Sequence, residues 1–580
     1  MAYTKPGLTT ITSTSSTQRL IVFSFLLLFT FPLLLLVFVF PRPYLQTEPP
    51  TSFPSLDKVK LPRWLRVIQK THIGHQMPLR LGLVNFEDIE SFSQLRLHGI
   101  LDYVTIDFQH LSPNVTWKTY FPEWIDETRP GKQCPSIPMP EPGRYSGLDV
   151  VVAKLPCEEI KKRQEEYNNG TQKSKKEGTR DVHRLQLSLA TARLLLENND
   201  GSRDEDIYAM FVGKCEPMVE IFRCDDLVWH GGEYWVYKPK VDKLRESISM
   251  PVGTCDLATP YSYSGARQLQ ANPNQQLEPQ TTRREAYVTI LHSSEDYVCG
   301  AIALAQSILQ TNTNKDLVLL ADRTISDHSI AGLQAAGWKI KRIDRIRSPH
   351  AMVDAYNEWN YSKLRVWQLT EYDKVMFIDA DLIVLRNIDH FFDFPQLSAA
   401  PNSKWIFNSG IMILEPSECF FDYLMSKRYT LKSYNGGDQG YLNEVLTWWH
   451  RLTKKLNFMK FFGNKKEEDR LVPEDRYTIH FLGMKPWTCY RDYDCNWDRK
   501  DYQVFASDAV HARWWQVYDA MAPELQPYCA MTAQTDSRIR KRRQRAQKAN
   551  LSDGHWKIEI KDPRQYNLVS SSRTNQRAIS

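Results

Sequence analysis

The chain has 580 residues, of which 42% are apolar and 12% aromatic, and its formal net charge at pH 7 is +6. This length and composition describe a globular protein that can hold two folded domains and tails. The charge is modest and much of it lies in one cluster near the C-terminus. The overall charge therefore gives no argument for nucleic-acid binding.

An almost unbroken apolar stretch covers residues 20–40. At about 1.5 Å per residue, a helix of this length spans roughly 30 Å of hydrocarbon. Lys5 and Arg19 precede the stretch and no small-residue cleavage site follows it, which favours an anchor over a cleaved signal peptide. We therefore expect a cytosolic tail at 1–19, a transmembrane anchor at 20–40 and a lumenal remainder, in a single-pass type II arrangement.

Two further features fit a lumenal, oxidising compartment. Asn-x-Ser/Thr sequons, the acceptors of N-glycosylation, begin at Asn114, Asn169, Asn360 and Asn550. The sequence has ten cysteines, and Cys489 and Cys495 are close enough along the chain to form a candidate disulfide. We expect disulfides in the lumenal part.

Composition divides the lumenal part into segments. Residues 41–65 are rich in Pro, Ser and Thr, as is typical of an extended stem. Residues 66–261 combine strand-like runs with a helical pattern at 181–198, which predicts a separate α/β module without a chemical signature. A linker rich in Gln, Asn and Pro follows at 262–284.

From residue 285 to about 530 the pattern changes to regular alternation of strands and helices. The segment 286–292 is predicted as a strand and 297–309 as a helix, and such alternation favours an α/β domain with a largely parallel, doubly wound sheet. Residues 531–580 contain the basic run RIRKRRQRAQK. A disordered, solvated tail is the simplest interpretation of that run, and nucleic-acid binding is not expected in a lumenal protein.

The most informative motif is Asp379-Ala380-Asp381. It follows the apolar run 374–378 and precedes the apolar run 382–385, so it is predicted at the end of a buried strand. Two carboxylates one residue apart can converge on one divalent cation, and oxygen ligands suit Mg²⁺ or Mn²⁺. A cation there would neutralise a diphosphate and help it leave. Taken alone, the motif could equally be a polar turn.

Other segments accompany this motif in a fixed order. They are YVTIL at 287–291, KLRVW at 363–367, FNSG at 407–410, GGDQG at 436–440 and HFLGMKPW at 480–487. Together the segments closely resemble the glycogenin-like glycosyltransferases of family 8. That resemblance, which covers roughly residues 285–520, implies the GT-A fold, with a doubly wound mixed sheet, and transfer with retention of anomeric configuration.

The resemblance also implies a role for each motif. Asp379, Asp381 and His480 are the implied metal ligands, and the imidazole favours Mn²⁺. Lys485 is implied to meet the diphosphate as UDP leaves. The residues implied to hold the nucleotide sugar are Leu291, Ser293, Ser294, Tyr297, Lys363, Ala380, Asn408, Ser409, Asn435, Gly483 and Lys485.

Within this set, the ring of Tyr297 can stack on uracil, although a core tyrosine is the alternative. Asn408 and Ser409 are expected to contact hydroxyls of the donor sugar, with Gly410 leaving space for its ring. A simple turn is the alternative for that motif.

Asp438 and Gln439 are the predicted catalytic residues. An amide at Gln439 suits front-face substitution, in which it stabilises an oxocarbenium-like state. Asp438 is the rival, as the nucleophile of a double displacement.

The chain departs from glycogenin at two places. Asn435 replaces an acidic residue, which would suit a glucuronate donor because like charges repel. An arginine of glycogenin falls opposite Asp354, and Arg347 or Arg365 is a candidate to replace it.

The anchor and the added N-terminal module are similar to those of the plant xylan α-glucuronosyltransferases of this family. The resemblance implies a Golgi enzyme that uses Mn²⁺ to transfer glucuronic acid from UDP-glucuronate to xylan in the secondary cell wall. The alternatives are a glycogenin-like glucosyltransferase, a lipid glucuronosyltransferase, and an inactive scaffold or carbohydrate-binding subunit.

Overall fold

The computed structural model describes residues 61–71, 78–121, 127, 135–157, 180–199, 207–261, 283–403 and 406–564. The described residues from Arg63 onwards belong to one compact unit. The predicted anchor and nearly all of the predicted linker lie outside the described residues. Within the described ranges, no helix is both long and apolar enough to cross a bilayer.

The elements of the N-terminal half alternate between helices and strands. Their bounds are α1 Arg63–Thr71, β1 Leu79–Val84, α2 Glu90–Leu97, β2 Leu101–Ile106, α3 Trp117–Tyr120, β3 Val150–Lys154, α4 Val182–Asn198, β4 Tyr208–Val212, β5 Leu227–Gly231, β6 Tyr234–Tyr237 and α5 Val241–Ile248.

The second half continues the alternation with shorter strands. The bounds are β7 Glu285–Leu291, α6 Val298–Leu309, β8 Asp316–Ala321, α7 Asp327–Ala335, β9 Lys339–Arg342, β10 Lys374–Ile378, β11 Leu382–Val384, β12 Ser398–Pro401, β13 Phe407–Leu414, α8 Glu418–Lys427, α9 Asp438–Val445, β14 His450–Arg451, β15 Phe458–Met459, β16 Thr478–His480, α10 Asp508–Ala520 and α11 Ala533–Lys548.

The N-terminal module has its own six-stranded sheet, in the order β2-β1-β3-β4-β6-β5. The first four strands are parallel, and β6 and β5 add an antiparallel hairpin. The helix α4 packs on β3 and is capped by Asp181, whose carboxylate accepts from the backbone N–H groups of His183 and Arg184. The predicted strand and helix pattern of this module is confirmed.

The second module is built on a seven-stranded sheet, in the order β14-β12-β13-β10-β7-β8-β9. The strands β10, β7, β8 and β9 run parallel, whereas β13 is antiparallel to both β10 and β12. The sheet is therefore mixed, as in the GT-A fold. The helix α6 begins at Val298, one residue later than predicted, because a 3₁₀ turn occupies Glu295–Tyr297.

Buried charges join the two modules. Lys374, the first residue of β10, is fully buried, and its Nζ lies 2.8 Å from Glu246 Oε1 on α5. Glu415, which follows β13, lies 2.5 Å from Arg223 Nη1 and 2.7 Å from Lys243 Nζ of the N-terminal module. Because removing one partner of such a group leaves a buried charge unpaired, the two modules depend on each other. The N-terminal module is thus not a separately placed domain.

Four disulfides lie within the described residues: Cys157–Cys215, Cys224–Cys419, Cys299–Cys529 and Cys489–Cys495. The last confirms the pair expected from the sequence. Cys224–Cys419 adds a covalent link between the two modules, and Cys299–Cys529 ties α6 to the chain after α10. Disulfides of this number are typical of an oxidising compartment.

The C-terminal tail, predicted to be disordered, is folded as far as residue 564. Its helix α11 is capped by the Thr532 hydroxyl and buries Ile539 and Ala546. Arg543 donates to the Tyr493 hydroxyl at 2.6 Å and to carbonyl oxygens of the segment after α11. The prediction is wrong for residues 531–564, because several of the basic side chains act as hydrogen-bond donors within the fold, and residues 565–580 lie outside the described residues.

His555 allows a pH test of this packing. Its Nε2 lies 2.8 Å from Asp508 Oδ2, and its ring stacks on Trp497. Burial lowers the pKa of His555, but Asp508 outweighs that effect, so the pKa is raised above its ordinary value of 6.5. A raised pKa means that this pair stabilises the fold fully below pH 6.5 and ceases to do so as the pH rises through the folded-state pKa.

We therefore expect His555→Asn to lower the Tm, and to lower it most below pH 6.5. Thermal unfolding of both proteins, followed by circular dichroism over a series of pH values, measures this difference. A Tm difference that is constant with pH would mean that only the packing of the ring matters.

Candidate active site

The Asp-Ala-Asp motif lies where β10 ends in the middle of the mixed sheet. The Asp379 N–H donates to the Gly410 carbonyl oxygen at 2.9 Å, which fixes the backbone up to the motif. Ala380 then packs against α6, where a Cβ on Gly300 would lie only 2.5 Å from the Ala380 oxygen. Sequence reasoning missed Gly300, although a glycine inside an apolar helix is a recognised sign of close packing.

Strand register brings His480 to this motif. The strand β11 pairs antiparallel with β16, with Leu382 opposite His480, and the Phe481 N–H donates to the Asp381 carbonyl oxygen at 2.9 Å. His480 Nε2 consequently lies 3.3 Å from Asp381 Oδ1. Ligand atoms of Asp379, Asp381 and His480 all lie within 4.8 Å of one another. The structure thus brings the three predicted metal ligands together.

Asn457, which sequence reasoning missed, orients the imidazole. Asn408 Oδ1 accepts from the Gly410 N–H at 2.8 Å and from Asn457 Nδ2 at 3.0 Å, so Asn457 turns its oxygen towards His480 Nδ1, 3.2 Å away. A proton on Nδ1 leaves Nε2 with its lone pair facing Asp381, as a metal-ligating histidine requires. No motif signals Asn457, since it lies between motifs.

Gly410 gives room to the imidazole of His480. A Cβ at this position would lie 2.6 Å from His480 Cε1 and 2.7 Å from Asn408 Oδ1. The structure thus gives Gly410 a second reason to be a glycine, and the expectation that it leaves space for the donor sugar stays a prediction. The Asn408 side chain, expected to contact the sugar, is engaged by protein groups at both its oxygen and its nitrogen.

Lys363 joins the motif to α9. Its Nζ lies 3.0 Å from Asp379 Oδ1 and 2.6 Å from Asp438 Oδ2, and it donates to the Ser409 carbonyl oxygen at 3.2 Å. The side chain is buried and sits over the ring of Phe377. Lys363, which was expected to reach the donor, pairs with the carboxylates of Asp379 and Asp438 in this structure.

The carboxylates of the site differ in their pKa. Burial raises the pKa of Asp379. Lys363 opposes this rise, whereas the negative charge of Asp381 adds to it. Burial would raise the pKa of Asp381 too, but the Lys485 ammonium 2.5 Å away outweighs it and holds the Asp381 pKa well below its usual range. Asp381 is thus the carboxylate most firmly ionised, as a cation ligand must be.

Asp438 and Gln439 begin α9, and both contact Ser409. Ser409 Oγ donates to Asp438 Oδ2 at 2.7 Å, while the Ser409 N–H donates to Gln439 Oε1 at 3.2 Å. Gln439 Nε2 donates to the Tyr434 hydroxyl at 2.7 Å. Lys363 outweighs burial and lowers the pKa of Asp438. Both side chains are therefore oriented, and each keeps its predicted catalytic role as a prediction.

Asn435 organises the loop that precedes α9. Its Oδ1 accepts from the N–H groups of Gly437 and Gly440 at 3.0 and 3.1 Å, and from Ser433 Oγ at 2.9 Å. A carboxylate could accept the same hydrogen bonds. Asparagine in place of an acidic residue therefore removes a negative charge from the loop and keeps the hydrogen bonds that the side-chain oxygen accepts.

The predicted nucleotide loop follows β7. Leu291 is buried, and Ser293 has a φ of 69°, unusual for a residue other than glycine. Asp322, missed by sequence reasoning, accepts from the Ser293 N–H at 3.1 Å and holds this conformation. Ser294 caps the next turn by accepting from a backbone N–H. Burial lowers the pKa of the adjacent His292 to about 4, so that its ring is neutral.

Tyr297 and Lys485 converge on the same side of the motif. The Tyr297 side chain is 38% exposed, so it is available for stacking, and its ring meets Trp487 edge to face at 5.7 Å. Lys485 Nζ lies 2.5 Å from Asp381 Oδ2 and 5.9 Å from the Tyr297 ring. Tyr297, implied to stack on uracil, thus lies beside Lys485, implied to meet the diphosphate. Lys485 in turn lies beside Asp381, an implied metal ligand.

Arg345 is the arginine near the nucleotide loop. Its guanidinium stacks on Trp359 at 3.9 Å, and its Nη1 lies 3.5 Å from Ser293 Oγ. Of the two candidates from the sequence, Arg347 pairs with Glu358, and Arg365 donates to the Asp344 carbonyl oxygen and to Gln368 Oε1. The sequence did not single out Arg345, and the choice of Arg347 or Arg365 stays a prediction.

The loop that carries Lys485 is fixed from the C-terminal side. Gly483 has a φ of 77°, and a Cβ there would lie 2.4 Å from Asn496 Oδ1, which accepts from the Met484 N–H. Arg564, 2% exposed, donates to the carbonyl oxygens of Trp487 at 3.0 Å and of Cys489 at 2.5 Å. Arg564 is a positioning residue that sequence reasoning missed.

Comparisons with known proteins agree with this site. The glycosyl transferase family 8 profile matches residues 288–490, and the profile described as GUX1-5 N-terminal domain matches residues 55–255. Every residue of the metal cluster lies inside the first match.

Several relatives match most of the chain, and others match a smaller part. The UDP-glucuronate:xylan alpha-glucuronosyltransferase 2 of Arabidopsis thaliana is 45% identical over 519 residues, covering 87% of this chain and 84% of the relative. The alpha-glucuronosyltransferase 1 of the same series is 45% identical over 504 residues, covering 83% and 72%. Glycogenin-1 of Homo sapiens is 30% identical over 264 residues, covering 42% and 75%. By these matches, this chain belongs to glycosyltransferase family 8, together with the plant xylan alpha-glucuronosyltransferases, and is a sugar-transferring enzyme.

Proposed function

We propose that this protein transfers glucuronic acid from UDP-glucuronate to a xylan-type polysaccharide of the plant secondary cell wall, with retention of configuration and with Mn²⁺ as its cation. The observation that carries the proposal is the 45% identity, over more than four fifths of the chain, with enzymes named for that reaction. The intact cluster of Asp379, Asp381 and His480 supports an active enzyme over an inactive scaffold.

The donor set of the cluster fits a divalent cation. Two carboxylates and one imidazole suit Mn²⁺, and Asn457 leaves the imidazole lone pair on the cation side. Asp379, Asp381 and His480 would hold the ion, which supplies neutralisation of the leaving diphosphate. Lys485 adds a second positive charge beside Asp381.

The sugar side of the reaction falls to the residues around Lys363. This lysine holds Asp438 in place, and Ser409 orients both Asp438 and Gln439. The Gln439 amide oxygen can stabilise positive charge on the anomeric carbon during front-face attack. In the rival mechanism, the Asp438 carboxylate forms a covalent glycosyl intermediate. Because Asp438 and Gln439 both contact Ser409, either side chain can act at the same anomeric carbon.

We also propose a Golgi location, with residues 20–40 as a type II anchor and the enzyme in the lumen. The disulfides of both modules support an oxidising compartment. The apolar run is long enough for the span.

Replacing a metal ligand tests the metal site. We expect Asp381→Ala to lower the transfer rate about a thousandfold or more, because several kcal/mol of leaving-group stabilisation is lost. Asp373→Ala is the matched control: this exposed carboxylate directly precedes the opposite end of β10, and the variant should be fully active. Release of UDP measures transfer, and circular dichroism checks folding. A folded, active Asp381→Ala enzyme would refute the metal site.

The charge of the α9 loop tests the donor. Since an aspartate can keep the hydrogen bonds of Asn435, Asn435→Asp should fold normally while adding a negative charge near the sugar. A repulsion of about 1.4 kcal/mol lowers a rate tenfold, so we expect kcat/KM for UDP-glucuronate to fall at least about tenfold. The affinity for UDP should stay unchanged. Preference of the wild type for UDP-glucose would contradict the proposed donor.

Membrane topology is tested on the full chain. Protease added to sealed microsomes should leave the bulk of the chain, residues 285–520 included, protected and glycosylated, whereas detergent should make these residues accessible. Digestion of these residues without detergent would place them in the cytosol and contradict the proposed Golgi lumen.

A further inference from the structure

Exposed apolar side chains are concentrated beside the active site. Of twelve large apolar or aromatic side chains that are exposed within the described residues, five lie in two loops, 352–356 and 429–434. They are Met352, Val353, Tyr356, Tyr429 and Tyr434, with exposures of 80%, 69%, 87%, 67% and 54%. We call these five side chains the aromatic shelf. Exposed clusters of this kind mark binding surfaces more often than scattered single residues do.

The residues that flank the two loops are hydrogen-bonded to each other. Ser348 Oγ donates to the Gly436 carbonyl oxygen at 2.7 Å, and Asn357 Nδ2 donates to the Asn435 carbonyl oxygen at 2.7 Å. His350 Nε2 contacts the carbonyl oxygen of Leu431 in the second loop at 2.9 Å, and that of Arg428 just before it at 3.1 Å. The backbone beneath the shelf is therefore fixed, and its side chains are exposed in a defined arrangement.

The shelf is continuous with the reacting centre. The Tyr434 hydroxyl accepts from Gln439 Nε2 at 2.7 Å, and Gln439 in turn shares Ser409 with Asp438. The hydrogen bond from Asn357 Nδ2 to the Asn435 carbonyl oxygen joins the residue after Tyr356 to the residue after Tyr434, so the two loops lie side by side at this point. Tyr434 thus links the catalytic pair to the outer part of the shelf.

The chemistry of the shelf suits an uncharged sugar chain. A tyrosine ring has an electron-rich face that attracts the C–H bonds of a sugar ring, and its hydroxyl can meet the sugar hydroxyls. All five side chains are neutral at physiological pH. A neutral pentose polymer offers apolar ring faces at regular intervals, so it can contact several shelf residues at once while one unit reaches Gln439.

We propose that the aromatic shelf is the acceptor subsite, on which a xylan-type chain lies with the sugar to be modified next to Tyr434 and its further units towards Tyr356 and Met352. This inference rests on the proposed function, because it takes the acceptor from it. The shelf positions the acceptor and does not contact the donor.

Acceptors of increasing length test the proposal on the full-length enzyme. We expect Met352→Ala/Tyr356→Ala to raise KM for long xylo-oligosaccharides about tenfold, the loss of one or two stacked contacts, and to leave KM for the shortest acceptors nearly unchanged. KM for UDP-glucuronate and its slow hydrolysis without acceptor should equal the wild-type values. Tyr434→Phe should keep the acceptor KM, whereas Tyr434→Ala should raise it for acceptors of all lengths.

Tyr234→Ala, an exposed tyrosine on the hairpin of the N-terminal module, is the matched control and should behave as wild type. Unchanged acceptor KM in the shelf variants, with transfer to xylan intact in the wild type, would overturn the shelf alone. A change of oligomeric state without a change in acceptor KM would also overturn it, in favour of a protein partner. A wild type that hydrolyses UDP-glucuronate but transfers to no xylo-oligosaccharide would overturn the proposed function and, with it, the named occupant.

Discussion

Three carboxylates, two of them buried and one half-buried, must be kept together in this site against their mutual repulsion, and two lysines make that possible. Lys363 lies between Asp379 and Asp438, and Lys485 lies against Asp381. Removing one partner of such a group leaves an uncompensated charge, which costs about 3–5 kcal/mol in buried positions. The turn after β10, the start of α9 and the loop after β16 therefore hold their relative places through these ammonium groups. The Asp-Ala-Asp motif alone would not be enough to place these three segments.

The support of the site extends into the N-terminal module. The strand that carries the metal motif begins with Lys374, which is neutralised by Glu246 across the module boundary. The next carboxylate, Glu415, is bound by two cations of the same module. The N-terminal module thus fixes the far end of the catalytic strand. This gives a physical reason why it accompanies the catalytic module in one chain.

Much of this arrangement could be predicted from the sequence, and the misses have identifiable causes. The strand before Asp379 was predictable because its apolar run is short, continuous and rich in branched and aromatic residues. Asn457 and Arg345 were not predictable, because each acts through a second side chain and neither belongs to a motif with a fixed residue spacing. The helix α11 was missed because Thr535, Ile539 and Ala546, its buried face, are hidden among basic residues that dominate the local composition.

Arg564 lies 77 positions after Trp487, whose carbonyl oxygen it binds. A growing chain therefore contains the metal ligands, the lysines and the catalytic pair well before it contains the residue that fixes their last loop. Since domains fold progressively as they emerge during synthesis, activity would be acquired as a late event, after nearly the whole chain is made. A product shortened by a few dozen residues at its C-terminus would keep every recognisable motif but would lack Arg564 and its hydrogen bonds to the loop after β16.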